Sequence, residues 1–277
     1  MAFRIATNTT SMAAGRFLEQ AQRQIDKSLV SLASGSRVVR AGDDAAGFAI
    51  AESLRGQLGG TKQAKFNTES AVGLVQTAEG GLNEQNNILV RLRELAVYSA
   101  SDTIGDDERG FLNTEFTGLV DEFDRIAKST RYGNKQLLTG TGQQFEFQVG
   151  AFKGPENTIK FTLDANTTAS DVGVDGLSVG SKSDARSTLQ NLDKAILKVS
   201  GTRATFGAMQ SRLQHTSDVL GVQAENLEAA RGHIVDVDAA EESTKLAMAQ
   251  IQQQAGASVI VQANNSAARA LRLLEPG

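Results

Sequence analysis

The two histidines are the first side chains to consider for chemistry. His215 and His233 are the only histidines of the chain. Four acids that could share a metal ion with His233 follow it, namely Asp236, Asp238, Glu241 and Glu242. Their spacing matches no helical zinc pattern, in which two histidines lie four residues apart. Acidic residues also suit the first turn of a helix. The segment therefore predicts a solvated turn without a metal ion.

Asp43 and Asp44 form an adjacent pair of carboxyl groups that could serve in acid–base catalysis. They directly precede the segment 45–58, AAGFAIAESLRGQL, whose composition is typical of a helix. N-terminal caps and first-turn acids belong at such a position. We therefore predict that Asp43 and Asp44 cap a helix and close a loop.

Signatures for cofactors and covalent catalysis are weak. The chain has no cysteine, which excludes disulfides, thiolate metal sites and cysteine nucleophiles. No phosphate-binding loop occurs, and Gly140-Thr141-Gly142 lacks the third glycine and the strand-to-helix setting of a dinucleotide site. We predict a protein that is not an enzyme and that uses no cofactor.

The scarcity of proline determines which secondary-structure elements can position these residues. Only Pro155 and Pro276 occur in 277 residues, although proline makes up about 5% of average sequences and disrupts helix interiors. Long helices can therefore form on both sides of Pro155. The net charge of -4 and the lack of a basic stripe argue against nucleic-acid binding.

Apolar spacing predicts three helices in the first half of the chain. Between about residues 11 and 34, apolar residues recur at steps of three and four, namely Leu18, Ala21, Ile25, Leu29 and Leu32. This spacing is typical of an amphipathic helix. A second helix is predicted from about 45 to 99 and a third from 106 to 130.

The middle of the chain changes to a period of two. Phe145, Phe147 and Val149 alternate with polar residues, and a second alternating run follows the turn-like segment 153–157. This pattern predicts a β-hairpin. Residues 164–183 are rich in turn formers and predict a loop. From about residue 184 the helical pattern returns and continues to the C-terminus.

Residues 246–268 contain no charged side chain. A membrane-spanning helix needs about 20 predominantly apolar residues, but this segment holds five glutamines and two asparagines. We predict no membrane span. Neutral polar and small apolar residues suit a helix surrounded by other helices, and copies of the same chain are the natural source of those neighbours. An apolar surface at each end of a lone chain predicts ends that order only on joining neighbours.

Six short motifs, in order, carry a resemblance to a known family. The segments 32–50, 76–80 and 89–97 resemble the flagellin signatures LxSGxRIxxAxDDAAGxAI, QTAEG and LxRxRELAV. The segments 203–210, 225–227 and 236–240 resemble RAxLGAxQ, ENL and DxDxA. The match covers roughly residues 1–140 and 185–277. The chain therefore resembles the bacterial flagellins.

The resemblance implies a fold that is mainly α. It is an elongated rod of long helices with paired, coiled-coil-like N- and C-terminal helices and a short central β-hairpin. It also implies three parts. Residues 1–43 and 236–277 form an axial terminal domain, 44–140 and 184–235 a helical spoke domain, and 141–183 a hairpin and loop that replace the variable outer domains.

The function implied is that of a structural subunit of the helical flagellar filament for swimming. Such a subunit is exported unfolded, without a cleaved signal peptide, and assembles outside the cell at the distal tip. Its partners are other copies of itself, sibling flagellins, an export chaperone, and cap and hook-junction proteins. The alternative within this class is the hook–filament junction protein. A protease insertion in the middle would need histidines, and residues 141–183 have none.

Three sets of residues are expected to make contacts or carry modifications. The axial subunit-packing residues are Leu18, Ile25, Leu29, Leu32, Leu246, Ile251, Val259, Leu271 and Leu274. By position in the resemblance, Arg91, Leu95 and Glu115 are hypothesised to contact Toll-like receptor 5. O-glycosylation is hypothesised at Thr167, Thr168 and Ser170.

Overall fold

The computed structural model describes the backbone of residues 8–272 and the side chains of residues 8–265. Within these residues the chain forms six α-helices: α1 (Thr9–Ser34), α2 (Ala45–Ser99), α3 (Asp106–Ser129), α4 (Ala169–Val172), α5 (Lys182–Val235) and α6 (Ala239–Arg272). Four strands occur between α3 and α4: β1 (Arg131–Tyr132), β2 (Lys135–Gln136), β3 (Gln143–Gln148) and β4 (Thr158–Leu163). The predicted mainly α class is confirmed.

The chain divides into two compact units. The first, which we call the terminal unit, contains the residues up to Gly56 and those from Asn226 onward, and the second, the central unit, contains Gln57–Glu225. Both divisions fall inside long helices, α2 and α5. The three-part division expected from the sequence has its boundaries elsewhere and stays a prediction.

The helix α1 has clear capping signals at both ends. The side chain of Asn8 accepts a hydrogen bond from the backbone N–H of Ser11 at 3.1 Å, which satisfies one of the free donors of the first turn. At the other end Gly35 has φ 70°, a left-handed conformation that glycine adopts without strain. The helix therefore stops at Ser34, as the Ser34-Gly35-Ser36 sequence suggests.

Backbone bonds join the end of α1 to the end of α5, and we call residues 35–37 and 234–237 the clasp. The N–H of Arg37 donates to Val235 O at 2.6 Å, and the N–H of Val237 donates to Gly35 O at 3.1 Å. The guanidinium of Arg37 also donates to Ile234 O at 2.6 Å. The chain breaks at 236–238 to form the clasp, within the segment for which a solvated turn was predicted, so the helical pattern expected from 184 to the C-terminus is divided into α5 and α6.

The core of the central unit is built from large apolar side chains. Its largest fully buried apolar residues are Leu82, Leu89, Leu92, Phe116, Phe123, Leu137, Leu138, Leu163, Leu192, Phe206 and Leu213. They come from α2, α3, α5, β4 and the loop that follows β2, and they form one continuous cluster. Burying side chains of this size contributes about 1.5–3 kcal/mol each, so this unit has a substantial core of its own.

Arg109 of α3 closes the end of α2. Its guanidinium is buried and donates to Ser99 O at 3.0 Å and Ser101 O at 2.9 Å, while Asp106 binds it at 2.7 Å. The last carbonyls of a helix have no partner within the helix. Arg109 supplies these partners for a helix of 55 residues.

The predicted β-hairpin is confirmed. Strands β3 and β4 pair antiparallel with Phe145 opposite Phe161, and a 3-10 turn at Pro155–Asn157 precedes β4. Phe145 and Phe161 are buried, as the alternating sequence requires of the inner face. The segment 164–183 was expected to be a loop, and it contains the single helical turn α4. The strands β1 and β2 form a second, two-residue hairpin that the sequence pattern did not indicate.

A buried glutamine attaches the segment after β4 to the helices. The amide of Gln85 in α2 donates to Phe123 O at 3.1 Å and to Thr167 O at 3.0 Å, and the side chain is fully buried. One amide group thus connects α2, α3 and the chain that leads to α4.

Candidate assembly surface

Helices α1 and α6 pack against each other, and we call them the terminal pair. Three side-chain hydrogen bonds give their direction: Asn8 to Ala263 at 3.2 Å, Gln253 to Gln22 at 2.5 Å and Ser28 to Glu242 at 2.7 Å. As the residue number rises on α1 it falls on α6, so the helices are antiparallel.

The contact between the two helices follows a seven-residue repeat, and we call its residues the seam. On α1 they are Ala14, Leu18, Ala21, Ile25, Ser28 and Leu32, and on α6 Glu242, Leu246, Ala249, Gln253, Gly256, Ile260 and Ala263, all buried or half-buried. Alternating steps of four and three are typical of a coiled coil. Six of these thirteen residues are alanine, serine or glycine, and a Cβ built on Gly256 would lie 3.9 Å from the Cα of Leu18, so the two backbones come close together there.

Beside the seam, α6 exposes a second apolar face. We call Met248, Ile251 and Val259 the outer stripe; Ile251 is 66% exposed in the single chain. Their spacing of three and eight residues places them on one side of a helix. No charge lies within or around this face between residues 246 and 268.

The seam contains one ionisable residue. Glu242 is only 7% exposed, and its carboxylate accepts from the fully buried hydroxyl of Ser28 at 2.7 Å and from Lys245 at 3.3 Å. The hydrogen bond from Ser28 lowers the pKa of Glu242, and Lys245 adds to this effect, although burial acts in the opposite direction. The carboxylate is thus held ionised inside the terminal pair.

The loop acids bind backbone amides of the turn before α2. Asp44 accepts from the N–H of Gly47 at 2.9 Å, the position of a helix cap, and Asp43 accepts from the N–H of Arg40 at 3.0 Å. The bond from Arg40 is the main reason that the pKa of Asp43 is lowered, and Lys27, at 3.3 Å, contributes too. These carboxylates lie beside an open cavity of about 520 Å³ with Lys27, Arg37 and Lys245. Each acid has a binding partner, and this arrangement offers a loop closure rather than an acid–base pair.

The described residues bring no metal-binding cluster together. None of their histidines, aspartates and glutamates form a group of three placed to hold an ion, and both His215 and His233 are exposed. The absence of a metal and of a cofactor stays a prediction for the whole chain. No helix in the described part is long and apolar enough to cross a bilayer.

A Gly-x-Ser-x-Gly segment at residues 176–180 is a signature that sequence reasoning missed. This spacing surrounds the nucleophile of many serine hydrolases on a strand-to-helix turn. Here Ser178 lies in the loop before α5, and its hydroxyl donates to the side chain of Asn113 at 2.9 Å and accepts from the N–H of Gly180 at 3.1 Å. An amide oxygen cannot take the serine proton as a histidine does, so Ser178 serves to anchor the loop.

Comparison with known protein families identifies the family of this chain. The family model for the bacterial flagellin N-terminal helical region matches residues 5–143, and that for the C-terminal helical region matches residues 189–274. The chain is a bacterial flagellin. It is 38% identical over 267 residues to a flagellin of Halalkalibacterium halodurans, covering 96% of this chain and 98% of the relative.

Other relatives agree with this assignment. A flagellar filament core protein of Brachyspira hyodysenteriae is 35% identical over 98% of this flagellin and 99% of its own length. The crystal structure of Bacillus cereus flagellin is 30% identical with a TM-score of 0.51, covering 60% of this chain and 94% of that one. The flagellin is thus a structural filament subunit, and the hook–filament junction alternative is not favoured.

The predicted packing residues of this flagellin fall into two groups. Leu18, Ile25, Leu32 and Leu246 belong to the seam, whereas Leu29, Ile251 and Val259 are exposed. The side chain of Leu271 and all of Leu274 lie outside the described residues. Leu29 lies outside the seam because the seven-residue repeat passes through Ser28, its polar neighbour. The contacts of all nine predicted packing residues with other subunits stay predictions.

The three hypothesised receptor contacts differ in exposure. Arg91 and Glu115 are exposed and form an ion pair at 2.7 Å, and this pairing together with Glu94 raises the pKa of Arg91. Leu95 is 3% exposed and belongs to the core of the central unit. Arg91 and Glu115 therefore lie together at the surface, and Leu95 does not.

The hypothesised glycosylation residues also differ. Thr167 is fully buried, and its hydroxyl donates to Leu138 O at 3.4 Å, so a sugar on it would require this packing to open. Thr168 is half-buried and Ser170 is exposed. The folded flagellin presents Ser170 most fully.

The sequence did not reveal Ser28 and Glu242 as residues that hold the terminal pair, or Arg37 as a residue of the clasp. Counting apolar residues alone passes over polar seam positions. The signal was present in the repeat, because Ser28 lies three residues after Ile25 and four before Leu32.

Proposed function

We propose that this flagellin polymerises into the filament through its terminal pair, with the outer stripe of α6 as a subunit contact. The supporting observation is the uncharged segment 246–268, whose outer stripe is exposed in a single chain. A helix that faces water normally carries charged residues on its outer side. This face therefore fits burial against another copy.

The geometry of such a contact favours an open polymer. The seam is already used within the chain, which leaves the outer stripe free to meet a different surface of the next copy. Contacts between unlike surfaces that do not close into a ring generate a helical filament. Each buried Ile, Val or Met contributes about 1.5–3 kcal/mol, and association itself costs about 4–15 kcal/mol. Several neighbours must contribute together, which makes growth cooperative.

Membership of the flagellin family supports a route for the subunit. We infer that both ends order fully only beside neighbours, and that the chain is exported unfolded by the flagellar type III apparatus. It would keep its N-terminus, reach the outside of the cell and add at the distal tip. Its partners would be an export chaperone, cap and hook-junction proteins and sibling flagellins, and it would have no catalytic activity.

The domain organisation proposed for the filament follows the family pattern. Residues 1–43 and 236–277 would be axial, 44–140 and 184–235 would form the spoke, and 141–183 would face outward.

Charge placed on the outer stripe tests the proposal. We expect purified Ile251→Lys chains to stay in the supernatant after seeding, because a buried unpaired charge is strongly unfavourable. The control is Ser243→Lys, which adds the same charge to an exposed position of α6 beside Glu241 and Lys245. Sedimentation and electron microscopy measure the result. If I251K and S243K form filaments equally well, the outer stripe is not a subunit contact.

A deletion tests the same helix more coarsely. Removal of residues 246–277 should leave a folded central unit, seen by circular dichroism, that no longer sediments after seeding. Filaments formed by the shortened chain would contradict an axial role for α6.

Recognition by Toll-like receptor 5 remains a separate proposal for the surface of Arg91 and Glu115. The matched variants are R91A/E115A and R125A/E122A, because the second removes another exposed ion pair from the central unit, at 2.6 Å. We expect only the first to weaken binding to the receptor ectodomain in a surface-binding assay. Equal binding of both variants would place the contact elsewhere.

Glycosylation is proposed at Ser170, with Thr168 as the second position. Mass spectrometry of peptides from native filaments would reveal a sugar on this segment. A Ser170→Ala chain expressed in the same cells should lose it, and an unmodified native peptide would reject the proposal.

A further inference from the structure

The seam and the outer stripe of α6 are chemically similar, which raises the question of what decides between them. The seam of α6 presents Leu246, Ala249, Gln253, Gly256 and Ile260, and the stripe presents Met248, Ile251 and Val259. Each face thus offers aliphatic side chains to α1, so hydrophobicity alone does not select one of them. In the structure the seam faces α1.

The clasp does not settle this orientation. Its main bonds join backbone atoms of residues 35–37 and 235–237, and every residue type has such atoms. The clasp places residues 235–237, and Asp238 sets where α6 begins, because its side chain accepts from the N–H groups of Ala240 and Glu241. The helix starts at Ala239.

The charged residues of α6 are confined to its first two turns within the described side chains. They are Glu241, Glu242 and Lys245. Glu241 is exposed and binds Lys245 at 2.8 Å, whereas Glu242 points inward to the hydroxyl of Ser28. Ser28 is fully buried on α1, so both Ser28 and Glu242 would lose a buried partner if α6 turned about its axis.

We propose that the Ser28–Glu242 hydrogen bond is the positioning contact that sets the rotation of α6, so that the seam faces α1 and the outer stripe is left for the next subunit. This rests on the proposed function for the role of the stripe. A buried acceptor without its donor is unfavourable by more than the bond itself contributes. Of the three side-chain hydrogen bonds between α1 and α6, this is the one between two buried residues. A buried polar pair in a mainly apolar contact can therefore select one arrangement, as a buried asparagine does in coiled coils. Because the carboxylate acts as an acceptor, a glutamine can replace it.

Disulfide trapping can read the rotation directly, since the natural chain has no cysteine. A Cβ built on Gly256 would lie 3.9 Å from the Cβ of Leu18, within the range of disulfides. The pair L18C/G256C therefore reports the seam orientation. The pair L18C/A255C reports the opposite one, because Ala255 is exposed and lies four residues from both Ile251 and Val259.

Each pair is placed in four full-length backgrounds: unchanged, E242Q, S28A/E242A and the control E241A/S243A. The control removes one glutamate and one serine from the exposed face of α6. Chains are seeded into filaments and oxidised, and intramolecular disulfide is measured on non-reducing gels, where crosslinks between subunits appear at higher mass. The yield from the seam pair is divided by that from the stripe pair.

We expect the yield of the seam disulfide to exceed that of the stripe disulfide about tenfold or more in the unchanged, E242Q and control backgrounds. In S28A/E242A we expect a ratio of about threefold or less, because one buried polar pair is lost. If S28A/E242A does not assemble, the ratio is measured in the unassembled chains of all backgrounds, and the same difference supports the proposal. A ratio near tenfold in S28A/E242A overturns it, as does an E242Q ratio equal to that of S28A/E242A. Failure of the unchanged chain to form filaments would contradict the proposed function, and the disulfide ratio would still decide the rotation.

Discussion

The terminal pair and the central unit bury side chains of different sizes. The largest fully buried side chains of the described residues, Phe116, Phe123 and Phe206 among them, all lie between residues 57 and 225. The terminal pair buries Ala14, Ala21, Ala249 and Ala263, one larger apolar residue, Ile25, and one carboxylate. Stabilisation by burial scales with apolar area, so the central unit has the larger stabilisation of its own and the terminal pair the smaller. The difference makes the terminal pair the part whose stability can depend most on further contacts.

The strongest test of this comparison replaces an aromatic residue of the central core. Phe123→Ala should lower the free energy of unfolding by about 3–5 kcal/mol, because it leaves a large cavity. Phe111, on the same helix, is 77% exposed. Phe111→Ala should change the free energy of unfolding by less than about 0.5 kcal/mol. Urea unfolding followed by circular dichroism gives both values. Similar losses for the two variants would mean that this core is not the main source of stability.

A second variant tests the buried polar contacts of the same unit. Arg109→Ala removes the partners of Ser99 O and Ser101 O, and we expect a loss of about 1.5–3 kcal/mol, typical of hydrogen bonds to a charged group. Arg125→Ala removes an exposed pair with Glu122 and should cost well below about 1 kcal/mol. Thermal unfolding measures the loss of stability in both variants. A larger loss for R125A than for R109A would contradict the prediction.

The terminal pair should lose stability in acid through one identified residue, Glu242. The pKa of Glu242 is lowered in the folded chain, chiefly by Ser28. Its ionisation therefore stabilises the pair above the unfolded glutamate pKa of about 4.3, and this stabilisation is lost as the pH falls through the lower folded value. The chain has no tryptophan, so Phe17→Trp on α1 gives a fluorescence signal for the pair.

We expect the tryptophan emission of F17W to change on acidification below about pH 4 and this change to be reduced in F17W/E242Q, which cannot titrate at position 242. Identical titrations of the two chains would show that Glu242 does not control the pair. Asp43 also has a lowered pKa in the terminal unit, so Asp43→Asn serves as a separate comparison.

The smallest expected effect concerns surface charge on the central unit. Arg93 binds Asp193 at 2.8 Å, with both side chains about half exposed. Arg93→Ala should lower the free energy of unfolding by about 0.2–1 kcal/mol, and less at high salt, because exposed pairs are screened. A loss as large as that of Phe123→Ala would show that charge, and not the core, distinguishes the two regions.

Local patterns predicted much of the fold. The period of three and four residues located α1, and the alternation around Phe145 and Phe161 located the hairpin, since each pattern reflects which face is buried. Pattern counting failed where polar residues occupy buried positions. Ser28 and Glu242 are in the seam because each provides the other's hydrogen bond, and that pairing joins residues 214 positions apart.

Other features depend on tertiary contacts that no local pattern contains. Thr167 has the composition of an exposed loop residue, but Gln85 and Leu138 hold its backbone and hydroxyl inside the central unit. Leu95 sits in a charged motif, yet its side chain points to the core. The division of the chain within α2 and α5 leaves no break in either helix and so no sequence signal.

The clasp has a consequence for chains that are never completed. The carbonyl of Gly35, at the end of α1, receives its hydrogen bond from Val237, and Arg37 in turn terminates α5 at Ile234 and Val235. The end of an N-terminal helix, stopped locally by Gly35, thus also receives a hydrogen bond from a residue translated about 200 positions later. A product of premature termination or of cleavage before residue 234 retains α1 and its glycine stop but lacks the clasp. In such a product the carbonyl of Gly35 and the N–H of Arg37 are left without these partners.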